Sequence, residues 1–318
     1  MHHFKTPYKL YRQMRKTLFT TILLAISYIG LGQINMEDST VQVVAYFDKG
    51  EQQIYSLTSE KIKISGSDTT SKELITYEVE ITVKDSTDKS YTIEWFYKNI
   101  NTNSTNETAK KLLNVSKDMK VIYMTDEVGS FIEVVNWKEI RDFNKKACAS
   151  LRTEYKDIPE MEKVINQIEV SFSTKESIES VSIKDIRQFH TYHGAKYKLG
   201  EVIEGQQEIP NIYGAKPFDS YSSVFLDEIN VEDNNFILRS SQEIDSNQLT
   251  EAILQYLTQM AKNMKIDPPK REDVKDLKNE TNTASRIHNS GWILYSIQTT
   301  TVVSDNSTNI EERIIEMN

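Results

Sequence analysis

Side chains able to do chemistry are few in this chain. His190 and His193 stand in the run His190-Thr191-Tyr192-His193, a spacing that sets two imidazoles on one side of a helix end, where they are weak candidates for a shared metal ion. The glutamate that serves as general base in the His-Glu-x-x-His arrangement is missing. A third ligand would have to come from a distant acid such as Asp185 or Glu201. The simpler account is electrostatic, since imidazoles near a helix C-terminus interact favourably with its dipole, so no metal ligand is assigned. Cys148 is the sole cysteine, and Lys145 and Lys146 beside it would lower a thiol pKa. The helical spacing around it nevertheless puts it beside the apolar face, where cysteine acts as a small buried hydrophobe.

Paired acids occur at Asp126-Glu127, Asp227-Glu228 and Glu232-Asp233, each near a turn. The stretch from Asp227 to Asn235 lacks the central glycine and closing glutamate of a calcium loop. There is no Gly-x-Ser-x-Gly elbow, no phosphate-cradling loop and no dinucleotide fingerprint, and 10 glycines in 318 residues leave little room for them. No catalytic residue and no cofactor is assigned.

The elements that would position any site are mostly strands. Ile75, Tyr77, Val79, Ile81 and Val83 alternate with Thr76, Glu78, Glu80, Thr82 and Lys84, the period of a half-buried strand. After a polar turn at Asp85–Lys89, Tyr91, Ile93, Trp95 and Tyr97 repeat the pattern and complete a long hairpin. Val41, Val43, Ala45 and Phe47 predict an opening strand turned at Asp48–Glu51, and Gln53–Ile64 supplies another. Asn136 with Glu139 predicts a capping box for a helix carrying Ile140, Phe143, Ala147 and Leu151. Pro159 ends or kinks that helix, and Met161, Val164, Ile165 and Ile168 form a shorter stripe after it. A third helical stretch runs from about residue 176 to 192 and stops at Gly194. Asp245 with Gln248 opens the strongest amphipathic helix, with Leu249, Ile253, Tyr256, Leu257, Met260 and Met264 as its stripe. Further strands are expected from Lys196 to Glu204, from Phe218 to Ile244 and from Gly291 to Met317, while the Asn-, Thr- and charge-rich run Lys270–Asn289 predicts an exposed connection.

The fold class is therefore α+β: mainly antiparallel sheet in hairpins or a half-barrel, with a central helical segment and one amphipathic helix in the C-terminal half. The expected organisation is an export segment with an N-terminal extension over residues 1–32, a β-rich lobe over 33–135, a helical segment over 136–194 and an α+β lobe over 195–318. The two lobes are compatible with a single domain.

Arg15 and Lys16, an uncharged run from Leu18 to Leu31 and the exit Gly30-Leu31-Gly32 follow the order of a secretory signal, which predicts cleavage before Gln33. The competing role of that run is a membrane anchor, which needs about 20 mostly apolar residues. Without residues 1–32 the chain keeps 33 basic and 47 acidic side chains, a net charge of −14, which argues against nucleic acid as a partner. A single cysteine allows no internal disulfide, so an oxidising compartment adds nothing to the fold.

Tyr91, Trp95, Tyr97 and Phe96 on one hairpin, with Tyr46, Phe47 and Tyr55, could line a concave apolar surface of the kind that periplasmic lipoprotein carriers and related half-barrel proteins use. The segment Phe47-Asp48-Lys49-Gly50-Glu51 with Ile54-Tyr55, together with the Gly-Leu-Gly-Gln exit, resembles secreted proteins of unknown function of the Bacteroidetes type. That resemblance implies an exported β-rich protein and specifies no chemistry. The expectation is a secreted or periplasmic protein that binds a protein or an apolar small molecule, or serves as a structural module, and touches a membrane only through an uncleaved signal. A carrier of an apolar ligand is the alternative, and a hydrolase the distant one.

Overall fold

The computed structural model describes residues 33–209, 211, 216–305 and 307–318. The predicted export segment lies outside the described residues. Strand outweighs helix, 48% against 26%, so the chain is a mainly antiparallel β protein with helices added.

Among the described residues the elements run β1 (Ile34–Asn35), β2 (Thr40–Gln42), β3 (Gln52–Ser65), β4 (Asp68–Thr87), β5 (Ser90–Thr102), α1 (Glu107–Leu113), β6 (Lys120–Asp126), β7 (Phe131–Val134), α2 (Trp137–Glu154), α3 (Pro159–Ser171), α4 (Lys175–Ser177) and α5 (Lys184–Phe189). There follow β8 (Lys196–Lys198), β9 (Val202–Ile209), β10 (Phe218–Asn230), β11 (Asn235–Ile244), α6 (Ser246–Met264), β12 (Lys278–His288), β13 (Ile293–Val303) and β14 (Ser307–Met317). β1, β2 and β8 form a small sheet, and an 11-stranded sheet takes the order β7-β6-β5-β4-β3-β14-β13-β12-β11-β10-β9. Within the large sheet every pair is of strands adjacent in sequence except β3 with β14, where Tyr55 faces Met317 and Ser65 faces Ser307. That seam joins the two predicted lobes in one sheet.

The long hairpin forms as its alternation predicts, with Ile81 opposite Trp95 and Val83 opposite Ile93. These side chains are buried on the face that also receives the helices, which we term the inner face. Phe189 of α5 meets Tyr55, Trp95 and Trp292 edge-on at 5.6, 5.7 and 6.1 Å between ring centroids. Such edge-to-face pairs add to the burial of the rings themselves.

Several expectations are corrected. The segment Val41–Phe47 is buried at each alternate residue as predicted, but only Thr40–Gln42 is strand. Its remaining backbone is satisfied by loops, Val43 N–H donating to the Ala195 carbonyl, Ala45 N–H to Val128 and Tyr46 N–H to Ser290, so it threads the core as an extended strap. The helix expected over 176–192 is broken into α4, a π-helical turn at Ile178–Ser182 and α5. Lys270–Asn289 is not an exposed connection, because Lys278–His288 is an interior strand between β11 and β13. Its inward residues are Thr281, Thr283, Ser285 and Ile287, a period-2 signal written mostly in hydroxyls.

The box at Asn136 does not form. Its side chain instead accepts from Ile122 N–H at 2.8 Å and donates to the Lys120 carbonyl at 3.0 Å, bracing β6. Asp245 does cap α6, accepting from Gln248 N–H at 2.8 Å, while the Gln248 side chain turns to Asp219.

Candidate functional site

Inner-face chemistry begins with the histidines. After α5 the chain turns so that Gly194, at φ +91°, donates its N–H to the Val43 carbonyl. His190 and His193 thereby come together, ring centroids 5.0 Å apart and both buried. His190 Nε2 shares a hydrogen bond with the Tyr123 hydroxyl at 2.9 Å, and His193 Nε2 donates to the Gly291 carbonyl at 3.0 Å. Their Nδ1 atoms are buried without partners. Burial pushes His193 down to about 4 and His190 well below the usual imidazole range, with the neighbouring His193 adding to the shift at His190. Among the described residues no third His, Cys, Asp or Glu joins the pair as a metal group. Glu201 is bonded to Lys198, and Asp185 accepts from the Tyr97 hydroxyl at 3.3 Å. The pair is thus a neutral part of an aromatic core.

Tyr91, Trp95 and Tyr97, expected to line a concave surface, are themselves core, at 8%, 0% and 4% exposure. Phe47 covers Tyr91, whose hydroxyl donates to the Ala45 carbonyl at 2.7 Å, and Phe189 covers Trp95. Cys148 is buried between α2 and α3 with Leu151 and Ile165, and burial raises its thiol pKa, as a structural role requires.

Sequence reasoning missed the polarity of the C-terminal half. Its inner face carries a layer of hydroxyls and amides: Gln188 donates to the Ser296 hydroxyl at 3.0 Å, Ser285 to Ser296 at 2.8 Å and Gln298 to Thr283 at 3.0 Å, while Tyr192 meets Ser240 at 2.9 Å. Arg313 bonds Gln298, and Asp185, with its pKa raised by burial, lies near enough to feel the Arg313 charge. Most of these groups find partners within the layer, while Gln188 Oε1 and Arg313 Nη1 are buried without one.

The opposite, outer face shows the reverse. β11 turns Ile237 and Arg239 outward, β12 Ala284 and Arg286, β13 Tyr295 and Ile297, and β10 Phe225, all on one surface by strand register. Three adjoining concavities cross this face from β9 to β14. The first, about 500 Å³, is lined by Glu204, Gln206, Tyr221, Ser223, Ser241 and Glu243. The second, about 350 Å³, shares Ser241 and adds Phe225, Arg239, Asn282, Ile297 and Thr299. The third, about 740 Å³, shares Arg239, Ala284 and Ile297 and reaches Ile237, Tyr295 and Glu316. Together they make an open trough with half-buried aliphatic and aromatic floors and charged rims, and Arg239 is held at one rim by Asp227 at 2.7 Å. The signal was present in β13, where Tyr295 and Ile297 alternate with Ser296 and Gln298; apolar residues face outward on a strand whose inner side is polar.

The rest of the outer face differs. On β4–β6 it is a solvated ion-pair surface in which Lys98 pairs with Glu80 at 2.5 Å and Glu94 with both Lys84 and Lys120 at 3.7 Å. No helix among the described residues is long and apolar enough to cross a membrane. No protein-family model matches the chain, and no curated protein matches it.

Proposed function

We propose that the protein is an exported binding protein without chemistry of its own, which takes an extended partner segment along the trough on the outer face of its half-barrel sheet. One observation carries this reading: Phe225, Ile237, Tyr295 and Ile297 form a contiguous apolar floor on the sheet face that no helix among the described residues covers, although the core these strands need is already filled on the inner face by Leu226, Phe236, Leu238 and Ile287. Uncovered apolar rows rimmed by charge mark interaction surfaces. A trough open along its length and lined by strands at regular spacing suits an extended chain better than a compact small molecule, and the Arg239, Arg286, Glu243 and Glu316 rims supply polar contacts of both signs. Export rests on the sequence of residues 15–33 alone.

The alternative, a carrier of an apolar ligand between sheet and helices, draws no support from this core, where Tyr55, Trp95, Tyr123 and Phe189 fill the space. A hydrolase built on the histidines draws none either, since both imidazoles are buried and neutral. The test is native mass spectrometry of the protein purified from the envelope of producing cells, paired with the variant Ile297→Asp. An associated mass that leaves on unfolding and is lost in the variant is expected. An associated mass that persists unchanged in Ile297→Asp, or an unliganded chain whose Tyr295 and Phe225 oxidise freely in envelope footprinting, overturns the reading.

A further inference from the structure

The two edges of the long sheet are finished differently. β7 is short, its pairing with β6 is interrupted by a register shift, and its last N–H, that of Val134, donates to the Glu179 carboxylate at 2.7 Å. β9 has none of these protections. It pairs with β10 without a shift from Val202 to Ile209, contains neither lysine nor proline, and has no strand on its far side among the described residues. Val202 and Ile203 are 58% and 49% exposed and Tyr221 on the next strand 53%. A regular edge of this kind presents unpaired N–H and C=O groups to any chain that can continue the sheet.

We infer that β9 docks against β9 of a second copy of this chain, antiparallel about a two-fold axis through Gly205. A two-fold axis perpendicular to the sheet keeps outer residues on the outer face, so facing residues must share parity. Two such registers pair most of the strand. The one centred on Gln206 sets Glu204 directly against Glu208 on both sides of the axis. The one centred on Gly205 sets Glu204 against Gln206 and Val202 against Glu208 on the outer face, and Ile203 against Gln207 on the inner. Like charges directly opposite destabilise a strand pair, whereas a carboxylate facing an amide accepts its N–H. The charge pattern therefore selects the Gly205 register, and Gly205 brings no Cβ to the axis, where the two strands meet their own copies. The outer faces of both copies then run on continuously, and the trough, whose first part is lined by Glu204 and Gln206, meets its mate at the axis.

Sedimentation velocity over a wide concentration range tests this, and its readout is mass, independent of any trough ligand. The purified protein is expected to show a reversible monomer–dimer equilibrium. Gln206 is exposed, so its variants keep the fold, checked by thermal unfolding. Gln206→Glu, which opposes Glu204 twice, is expected to weaken dimerisation about two- to tenfold, and Gln206→Lys to strengthen it by a similar factor. Glu204→Cys combined with Gln206→Cys is expected to give a covalent dimer on oxidation, whereas Glu204→Cys with Glu208→Cys does not. A chain that stays monomeric at every concentration, a dimer indifferent to the charge at 206, or crosslinking by the second cysteine pair only would overturn the inference.

Discussion

Histidines show most clearly how burial decides the role of a reactive side chain here. The i, i+3 spacing of His190 and His193 does bring the rings together, but the same turn buries them against Phe189 and Tyr123, and burial favours the neutral form of both. The consequence for stability has a definite sign. Imidazoles that titrate near 6.5 when unfolded and well below that when folded, His193 at about 4, bind more protons in the unfolded state throughout that window, so stability is fully present above it and falls as pH drops through it. Between about pH 7 and pH 5 the ring proton resonances of both histidines are expected to hold their neutral shifts while the thermal unfolding midpoint declines; a normal titration of either ring near pH 6.5 would contradict the packing described. Cys148 was legible from sequence because the helical period alone set its position beside Leu151. That Tyr91, Trp95 and Tyr97 share one face was legible from their alternation, but not that this face is closed core instead of an open concave surface, since the covering Phe47 and Phe189 arrive from distant segments.

Elements were read best where a strong period coincided with apolar residue types. The hairpin of β4 and β5 met both conditions, and its residue pattern and packing agree; α6 met them and forms, but of its predicted stripe only Leu249 is buried, while Tyr256, Leu257, Met260 and Met264 are exposed. β12 met only the first: Thr281, Thr283 and Ser285 alternate correctly, yet hydroxyl residues score as loop unless one knows that they face the polar layer formed by Gln188, Ser296 and Gln298. Asn136 shows the converse, a correct helix start with the wrong partner. Because its side chain satisfies two backbone groups of β6 instead of capping α2, Asn136→Ala is expected to cost about 1–3 kcal/mol in chemical denaturation. Asn136→Ser, a competent N-cap residue but too short to bridge to β6, should recover little of it. Full recovery by serine would show that capping is the role after all. The strap at Val43–Phe47 was predicted as a strand because alternate burial looks the same whether a neighbour is another strand or a set of loops.

Over the whole molecule, the deciding contact is the seam between β3 and β14. It joins residues from opposite ends of the described chain, with Ile315 and Leu57 buried side by side on the inner face and the hydroxyl of nearby Tyr55 donating to the Ile293 carbonyl at 2.9 Å. Without β14 two long interior strands, β3 and β13, would become edges, and apolar core at Tyr55 and Leu57 would open. Termination of the chain before Ser307 is therefore expected to yield insoluble protein, not a monomer with a frayed end, as followed by soluble yield and size-exclusion chromatography. A soluble, monomeric truncation with a native-like near-ultraviolet spectrum would show that the N-terminal strands fold as an independent sheet.

Composition and period, which are local properties, determined by themselves the α+β class, the predominance of antiparallel hairpins, the amphipathic helix α6 and the absence of any recognisable catalytic signature. Tertiary structure alone decided that the two β-rich ends share one sheet, that the aromatic hairpin lies under helix α5 and a strap, and that the C-terminal half turns a second row of apolar residues outward while Leu226, Phe236, Leu238 and Ile287 face in. The reason is common to all three. Alternation tells which residues share a face, but only the partners brought from far along the chain determine which face is covered, and hence whether a row of tyrosines and isoleucines becomes core or surface.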